Sequence, residues 1–362
     1  MIRPTQLRWP LIAAVVALVA VACGGSASTA PSAAPKDVGS GNLTGAGATF
    51  PEPFYTKAFY TYSQQHPKVT VNYQAVGSGA GIQQFTNNTV DFGASDVPMT
   101  AQEIQAAGGP DKLVQIPATL GVVAVSYNLP DVEKLQLDGP TLANIFLGTV
   151  KRWDDPSIRA LNSGTKLPAQ DITVVHRSDG SGTTYHVTDY LSKVSDAWKT
   201  KVGAGKSVQW PAGVGGKGNE GVAAGIKQTA GAIGYVELAY VVQTGMQRAY
   251  LKNKAGRFLQ ASVSGATAAA AQNKNVSPTD FSITDAPGDA SYPIAGFSWI
   301  ILRKDYSDPA KGKAVVNLFQ WLVTAGQQYG RDLQYAPLPR AVEDLAITNL
   351  KTVTAGGSQV LT

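Results

Sequence analysis

Short apolar segments, each followed by a turn of small residues and then by a helical pattern, recur along this chain of 362 residues. Segment 69–75 alternates apolar and polar residues as a strand does, and the helical pattern 82–88 follows it. Segment 172–175 is apolar and β-branched, and the helical pattern 184–193 follows it. Strands that alternate with helices predict βαβ units, and therefore an α/β fold with mainly parallel sheets. In such sheets ligands bind beyond the carboxyl ends of the strands, so a site is expected there.

The turn Asp179-Gly180-Ser181-Gly182-Thr183 lies between one such strand and its helix. Its glycines free the backbone to direct several N–H groups at one point, and the helix adds its positive dipole end. Ser181 and Thr183 add hydroxyl donors, and Arg177 adds a planar guanidinium just upstream. This set of donors predicts a tetrahedral oxyanion as the ligand. Taken alone, the turn is equally compatible with a simple helix N-cap.

Three more turns follow predicted strands in the first hundred residues. They contain Thr49 and Phe50, Ser78, and Asp96, respectively. Their shared placement at strand ends favours one anion site built from all four turns. A further glycine-dense stretch, 210–219, lacks the Gly-Lys-[Ser/Thr] triplet of a phosphate-binding P-loop, so we interpret it as a turn before a helix over 220–228.

The remaining pattern predicts more strands and helices of the same kind. The predicted strands are 90–94, 114–116, 122–127, 232–238 and 293–302, and the predicted helices are 53–65, 142–147, 261–271 and 309–324.

Composition and charge argue against several classes of function. Hydrophobic residues make up 44% of the chain and charged residues 15%, which is typical of an ordered protein with enough apolar residues for two cores. The net charge of +5 is scattered, without a basic run interleaved with aromatic residues, so a nucleic acid is not the expected partner. The three histidines (His66, His176 and His186) and the single cysteine do not form a zinc pattern, and neither a metal nor a cofactor is predicted.

The first 41 residues predict export and anchoring. Arg3 and Arg8 precede an apolar run over 11–22, as in a signal peptide over 1–22. Small residues precede Cys23 as in a bacterial lipobox, so we expect Cys23 to carry lipid and to begin the mature chain. Residues 23–41 are rich in Gly, Ser, Ala and Pro and predict a flexible tether. The expected location is the outer face of the cytoplasmic membrane, at the cell surface or in the periplasm.

Four stretches, in this order, resemble the phosphate-binding proteins (PstS-like) of bacterial phosphate-specific ABC transporters. They are Leu43-Thr44-Gly45-Ala46-Gly47-Ala48-Thr49-Phe50-Pro51, Val90-Asp91-Phe92-Gly93-Ala94-Ser95-Asp96, Arg177-Ser178-Asp179-Gly180-Ser181-Gly182-Thr183 and Gly231-Ala232-Ile233-Gly234-Tyr235-Val236-Glu237. The resemblance implies a two-lobed, hinged fold of the periplasmic-binding-protein (Venus flytrap) type that closes on inorganic phosphate. It further implies a monomer that is not an enzyme and that delivers phosphate to permease subunits.

The resemblance also implies the roles of individual residues. The implied phosphate ligands are Thr49, Phe50, Ser78, Asp96, Arg177, Ser181, Gly182 and Thr183. Asp96 would accept a proton from the ligand, and Asp179 would hold the guanidinium of Arg177. Gly79 departs from the family pattern, because many relatives carry a second serine there. The chain would cross between lobes near 120–121 and 292–293, which gives lobe I as 42–120 plus 293–362 and lobe II as 121–292.

Other functions remain as alternatives. A serine hydrolase needs a Gly-x-Ser-x-Gly elbow, which neither Ser78 nor Ser181 has, and a metal phosphatase needs clustered ligands. His176 could serve as a base in a phosphate-ester hydrolase, although a packing role for it is the simpler interpretation. A binder of sulfate or molybdate is closer to the pattern, but deprotonated sulfate has no proton to donate to Asp96.

Overall fold

The structure, a computed structural model, describes residues 37–361. The predicted signal peptide, Cys23 and most of the predicted tether lie outside these residues. Within 37–361, no helix combines the length and the apolar character that crossing a membrane requires.

The described residues form α-helices and β-strands that alternate along much of the chain. The helices are α1 (Glu52–Gln65), α2 (Ser78–Thr86), α3 (Ala101–Ala106), α4 (Gly139–Phe146), α5 (Pro156–Leu161), α6 (Gly182–Val194), α7 (Asp196–Lys201), α8 (Gly218–Gln228), α9 (Leu238–Thr244), α10 (Val263–Ala270), α11 (Pro309–Val323) and α12 (Arg340–Leu350). The strands are β1 (Gly41–Gly47), β2 (Val69–Ala75), β3 (Phe92–Ser95), β4 (Leu113–Tyr127), β5 (Gln136–Leu137), β6 (Thr173–Arg177), β7 (Val214–Gly216), β8 (Ala232–Glu237), β9 (Gln247–Arg248), β10 (Tyr250–Lys252), β11 (Phe258–Gln260), β12 (Ala295–Arg303), β13 (Asp305–Tyr306), β14 (Thr354–Ala355) and β15 (Ser358–Gln359).

One large sheet carries the strand ends that form the site. Its order is β2-β1-β3-β12-β4-β8-β6-β7, and β9 pairs with β4. β1 pairs in parallel with β2 and β3, which form the first parallel group. β6 pairs in parallel with β7 and β8, which form the second parallel group. The predicted α/β fold is therefore confirmed. The antiparallel pairs of this sheet all involve β4 or β12, the two strands that join the parallel groups.

β4 was predicted as two strands, 114–116 and 122–127, and this prediction was wrong. Pro117 interrupts the apolar pattern, but the chain continues as one strand through a bulge, where Ser298 pairs with Thr119 while Trp299 pairs with Pro117. The side-chain amide of Gln327 donates to the Ala118 carbonyl within this bulge at 3.0 Å. The bulge leaves Ala118 without a partner on β12 and lets pairing resume at Thr119, so the strand continues past the proline.

β4 changes its partner in the middle. Its first part, up to Val122, pairs with β12, and from Val123 onward it pairs with β8. β12 begins at Ala295, shortly after the second predicted crossing at 292–293. The predicted crossing at 120–121 thus falls within two residues of the partner change. The lobe boundaries drawn from these crossings remain predictions.

α2 begins at Ser78, four residues before the predicted start at residue 82. Gly77 adopts a φ of 94°, a left-handed conformation that glycine allows, and its carbonyl accepts the Gly81 N–H at 2.9 Å. Gly81 packs on β1 so closely that a Cβ atom there would lie 2.3 Å from the Gly47 Cα. The small-residue turn is therefore the first turn of the helix, held directly above the end of β1.

Candidate functional site

The structure brings the four predicted turns together at the carboxyl ends of the parallel strands. Thr49 and Phe50 follow β1, Ser78 opens α2, Asp96 follows β3, and the turn containing Ser181 opens α6 after β6. The side chains are buried: those predicted as phosphate ligands, other than the buried Gly182, are at most 3% exposed, namely Thr49, Phe50, Ser78, Asp96, Arg177, Ser181 and Thr183.

Three tyrosines fix the backbone of the first turn. Tyr73 donates to the carbonyl of Ala48 at 2.7 Å, Tyr240 donates to that of Thr49 at 2.6 Å, and Tyr335 donates to that of Phe50 at 2.6 Å. Each tyrosine comes from a different part of the chain, so sequence periodicity gave no signal for them. Their bonds satisfy three consecutive carbonyls and hold the turn in one conformation.

Ser78 joins the first parallel group to the turn before α6. The N–H of Gly182 donates to the Ser78 Oγ at 3.0 Å, and the N–H of Asp96 donates to the same oxygen at 3.3 Å. A Cβ atom on Gly182 would lie 2.4 Å from the Asp96 Cβ, so only glycine permits this approach. Residues 104 positions apart in sequence are therefore in direct contact.

Ser181 is the N-cap of α6. Its Oγ accepts the N–H of Thr184 at 3.1 Å, while its own hydroxyl proton can still serve another acceptor. Ser181 can therefore cap α6 and also donate a hydrogen bond to a bound anion.

Asp96 places a buried carboxyl group among these donors. Ser298, on β12, donates to its Oδ1 at 3.0 Å, and the longer contact from Ser78 reaches Oδ2 at 3.5 Å. Burial raises the pKa of Asp96 to about 7, although the Ser298 hydrogen bond, the charge of Arg177 and the Thr183 N–H oppose this shift. Sequence reasoning missed Ser298; a lone serine within an apolar strand was the available signal.

Arg177 brings a full positive charge into the same region. Asp179 accepts two hydrogen bonds from it, from Nε at 2.8 Å and from Nη2 at 2.5 Å, and also accepts the Gly218 N–H at 3.1 Å. Burial alone would raise the pKa of Asp179, but the hydrogen bonds and charge of Arg177 hold it below its usual range. Asp179 engages only one side of the guanidinium, because Nη1 takes no part in this pair.

Asn219 is a second residue that sequence reasoning missed. It lies in the first turn of α8, at the end of the glycine-dense stretch that we interpreted only as a turn. Its side-chain amide donates to the hydroxyls of Thr49 and Thr183 at 2.8 and 3.3 Å, and its backbone N–H donates to Thr49 at 3.1 Å. A buried amide therefore links two predicted ligand residues from different turns.

Contacts between the two parallel groups continue at the rim of the site. The Gly79 N–H donates to the Gly180 carbonyl at 2.9 Å, and a Cβ on Gly79 would lie 3.2 Å from the Gly180 Cα. Lys206 forms an ion pair with Glu103 of α3 at 2.5 Å, with both side chains partly buried. A pocket of about 320 Å³ beside Arg177 is lined by Lys206 and Trp210.

Two further candidates from the sequence are His176 as a catalytic base and a cluster of metal ligands. His176 stacks on Trp210 with ring centroids 4.7 Å apart, and its Nδ1 lies 3.0 Å from the carbonyl of Arg177. Burial lowers the pKa of His176. Across residues 37–361, no group of three or more His, Cys, Asp or Glu side chains is arranged to hold a metal ion.

Comparisons with known proteins agree on one family. The family model described as a PBP superfamily domain matches residues 31–325. Phosphate-binding protein PstS of Xylella fastidiosa is 45% identical over 319 residues, which cover 87% of this chain and 86% of that protein. Phosphate-binding protein PstS of Pasteurella multocida is 47% identical over 304 residues, which cover 83% of this chain and 87% of that protein.

The fold also matches a solved structure. A phosphate-binding protein from Stenotrophomonas maltophilia aligns with a TM-score of 0.66 at 20% identity, covering 85% of this chain and 94% of that one. At this level of identity the match concerns the fold alone.

Proposed function

This chain belongs to the PBP superfamily and, within it, to the PstS phosphate-binding proteins, and we propose that it captures inorganic phosphate outside the cytoplasm for an ABC-type phosphate importer. The predicted periplasmic-binding-protein-like α/β fold is confirmed. The relatives carry names of binding proteins, which supports capture and delivery of phosphate rather than turnover of a phosphate ester.

One observation carries the choice of ligand: a buried carboxyl group, Asp96, lies among groups that otherwise donate hydrogen bonds. Arg177 supplies positive charge, and the first turns of α2 and α6 supply N–H groups and positive dipole ends. An anion that carries no proton would be repelled by an ionised carboxylate. An anion that carries its own proton can donate it to Asp96 in a short, charge-assisted hydrogen bond. Phosphate has that proton at neutral pH, and sulfate lacks it.

We assign the ligand contacts accordingly. The proposed phosphate-binding residues are Thr49, Phe50, Ser78, Asp96, Arg177, Ser181, Gly182 and Thr183, and Asp179 supports them by fixing the guanidinium of Arg177. Their common burial and their convergence at the strand ends support this assignment.

The proposal includes two lobes that close on the ligand. Lobe I would comprise 42–120 and 293–362, and lobe II would comprise 121–292. The partner change within β4 supports a hinge there, since the two halves of this strand pair with different groups. The proposed ligand residues come from both lobes, so neither lobe alone could surround the anion.

We also propose that the protein is an exported lipoprotein. Residues 1–22 would act as the signal peptide, and lipid on Cys23 would hold the monomer on the outer face of the cytoplasmic membrane. The basic start, the apolar run and the small residues before Cys23 support this assignment. Delivery to the permease would then take place at the same membrane surface.

Titration calorimetry of the purified protein with phosphate and, separately, with sulfate tests the proposed function. At pH 9, where Asp96 is mostly ionised, we expect one phosphate per chain and sulfate binding that is weaker by orders of magnitude, because sites built around a ligand donor reject analogues that lack it by about 10⁴–10⁵. Equal affinities, or no heat with phosphate, would refute the assignment. A colorimetric assay with a generic phosphate ester distinguishes a binder from a hydrolase, and we expect no turnover.

A further inference from the structure

Asn219 occupies a position that the proposed ligand set leaves unexplained. It is fully buried, and both ends of its side-chain amide are engaged. The Oδ1 atom accepts the backbone N–H of Glu237 at 2.9 Å. A backbone N–H can only donate, so this bond fixes which end of the amide is oxygen. The Nδ2 group must therefore face the opposite way, toward the hydroxyls of Thr49 and Thr183.

The amide in turn occupies acceptor sites on both of those hydroxyls. Thr49 Oγ1 receives two hydrogen bonds, from the Asn219 N–H at 3.1 Å and from Nδ2 at 2.8 Å. A hydroxyl has two acceptor sites and one proton, so an oxygen that already accepts twice can only donate in its remaining direction. Thr183 Oγ1 accepts once, from the same Nδ2 at 3.3 Å, which occupies one of its two acceptor sites and leaves its proton for another acceptor.

We propose that Asn219 is a positioning residue that makes the hydroxyls of Thr49 and Thr183 donors toward the bound anion. The inference rests on the proposed function, because it takes both hydroxyls to be phosphate ligands. A hydroxyl that turned a lone pair toward phosphate would repel it, so orientation of the proton matters as much as position of the oxygen. Thr49 lies in proposed lobe I, and Thr183 and Asn219 lie in proposed lobe II. The amide therefore completes the donor set only when the lobes are closed.

A double-mutant cycle tests this role. Asn219→Ala should weaken phosphate binding at least about tenfold. The threonine hydroxyls would no longer be oriented as donors, and a hydrogen bond to charged phosphate is stronger than one to a neutral group. Thr49→Val with Thr183→Val should weaken binding to a similar or greater extent. Adding Asn219→Ala to the two valine substitutions should then cost less than about twofold more, because no hydroxyl remains to be oriented.

Asn128 provides a matched control at the other end of α8. Its side-chain amide donates to the carbonyls of Ile226, Lys227 and Thr229, each at 3.0 Å, so its role is structural. Asn128→Ala should lower the melting temperature while leaving the phosphate dissociation constant within about twofold of the unmodified protein.

The outcomes of the cycle distinguish failure of the proposed function from failure of the role assigned to Asn219. If the unmodified protein did not bind phosphate, the proposed function would fail. If it bound phosphate but the costs of Asn219→Ala and of the valine substitutions multiplied, Asn219 would be merely structural and this inference alone would fail. Unchanged binding by the valine variant would also overturn it.

A second variant covers the case in which Asn219→Ala does not fold. Asn219→Asp keeps the shape of the side chain and the acceptor for Glu237, but replaces the donor with an acceptor. The threonine protons should then turn toward the carboxylate, and phosphate binding should weaken at least about tenfold. Affinity equal to that of the unmodified protein would overturn the inference.

Discussion

The discrimination between phosphate and sulfate should depend on pH, and Asp96 should be the reason. Its pKa of about 7 means that the carboxyl is mostly protonated at pH 6 and mostly ionised at pH 9. Sulfate brings no proton, so it requires the protonated carboxyl as a donor. Phosphate brings its own proton and can bind the ionised carboxylate as well. Sulfate affinity should therefore fall as the pH rises, while phosphate affinity should change much less.

The magnitude follows from the titration of a single group. With a pKa of about 7, the protonated fraction of Asp96 is roughly 0.9 at pH 6 and roughly 0.01 at pH 9. The sulfate dissociation constant should thus rise roughly 90-fold between these two values. Competition binding at fixed ionic strength, with phosphate and sulfate measured at each pH, gives the ratio directly.

Asp96→Asn removes the titration. An amide can turn its NH₂ toward a sulfate oxygen or its carbonyl toward a phosphate proton, so phosphate binding should remain measurable. The phosphate-over-sulfate ratio should shrink at least about tenfold near neutral pH and lose its pH dependence. The mutant should also fold well at pH 8, because the raised pKa of Asp96 makes the unmodified protein lose stability as the pH rises from 3.8 to about 7, and a neutral amide avoids that loss.

Glu237 provides the matched control. It is another fully buried carboxyl group whose pKa burial raises well above its usual value, but it is not among the proposed ligands. Its Oε2 accepts from the Ala239 N–H at 2.7 Å and lies 3.1 Å from the hydroxyl oxygen of Tyr335, whose proton goes to the Phe50 carbonyl. Glu237→Gln should keep the pH dependence of sulfate binding. A sulfate affinity that is flat from pH 6 to pH 9 in the unmodified protein would refute the reasoning.

Four further predictions concern charge, closure and anchoring. Arg177→Ala should weaken phosphate binding at least about tenfold, whereas Arg152→Ala, at a half-exposed surface arginine, should not change it in the same calorimetric titration. Glu103→Gln should remove the partner of Lys206 across the rim and raise the phosphate dissociation constant by up to about fivefold, and an effect that did not shrink at high salt would contradict an ionic origin. Phosphate should reduce the radius of gyration in solution scattering and raise the melting temperature; superimposable scattering curves would argue against hinge closure. Cys23→Ser should abolish incorporation of labelled fatty acid, and labelling that persisted would remove this cysteine as the anchor.

The parts of the site that local patterns encode were predictable. The turn around Ser181 carries its glycines, hydroxyls and helix start within a few residues, and each of these is a local signal. Asp96 could be placed at a strand end because a short apolar run ends just before it, and Thr49 because it lies in a glycine-rich turn that leads into a helix. The same logic gave the α/β fold and most of the helices.

The parts that depend on distant contacts were not predictable in this way. Ser298 approaches Asp96 from 202 positions away, and Asn219 approaches Thr49 from 170 positions away. No periodicity within β12 or before α8 indicates such a meeting. Pro117 misled the strand prediction for a related reason, because the bulge that tolerates it requires β12 as a partner. These features depend on contacts between distant segments, which local sequence patterns do not encode.

The position of β12 between β3 and β4 has a consequence for the newly made chain. β12 spans Ala295–Arg303, so the middle of the large sheet is filled by a segment near the end of the sequence. Until that segment emerges from the ribosome, β3 and β4 lack the neighbour that separates them, and each presents an open edge. Pairing over such long loops is slow. The order of synthesis therefore delays completion of the large sheet until β12 has been made.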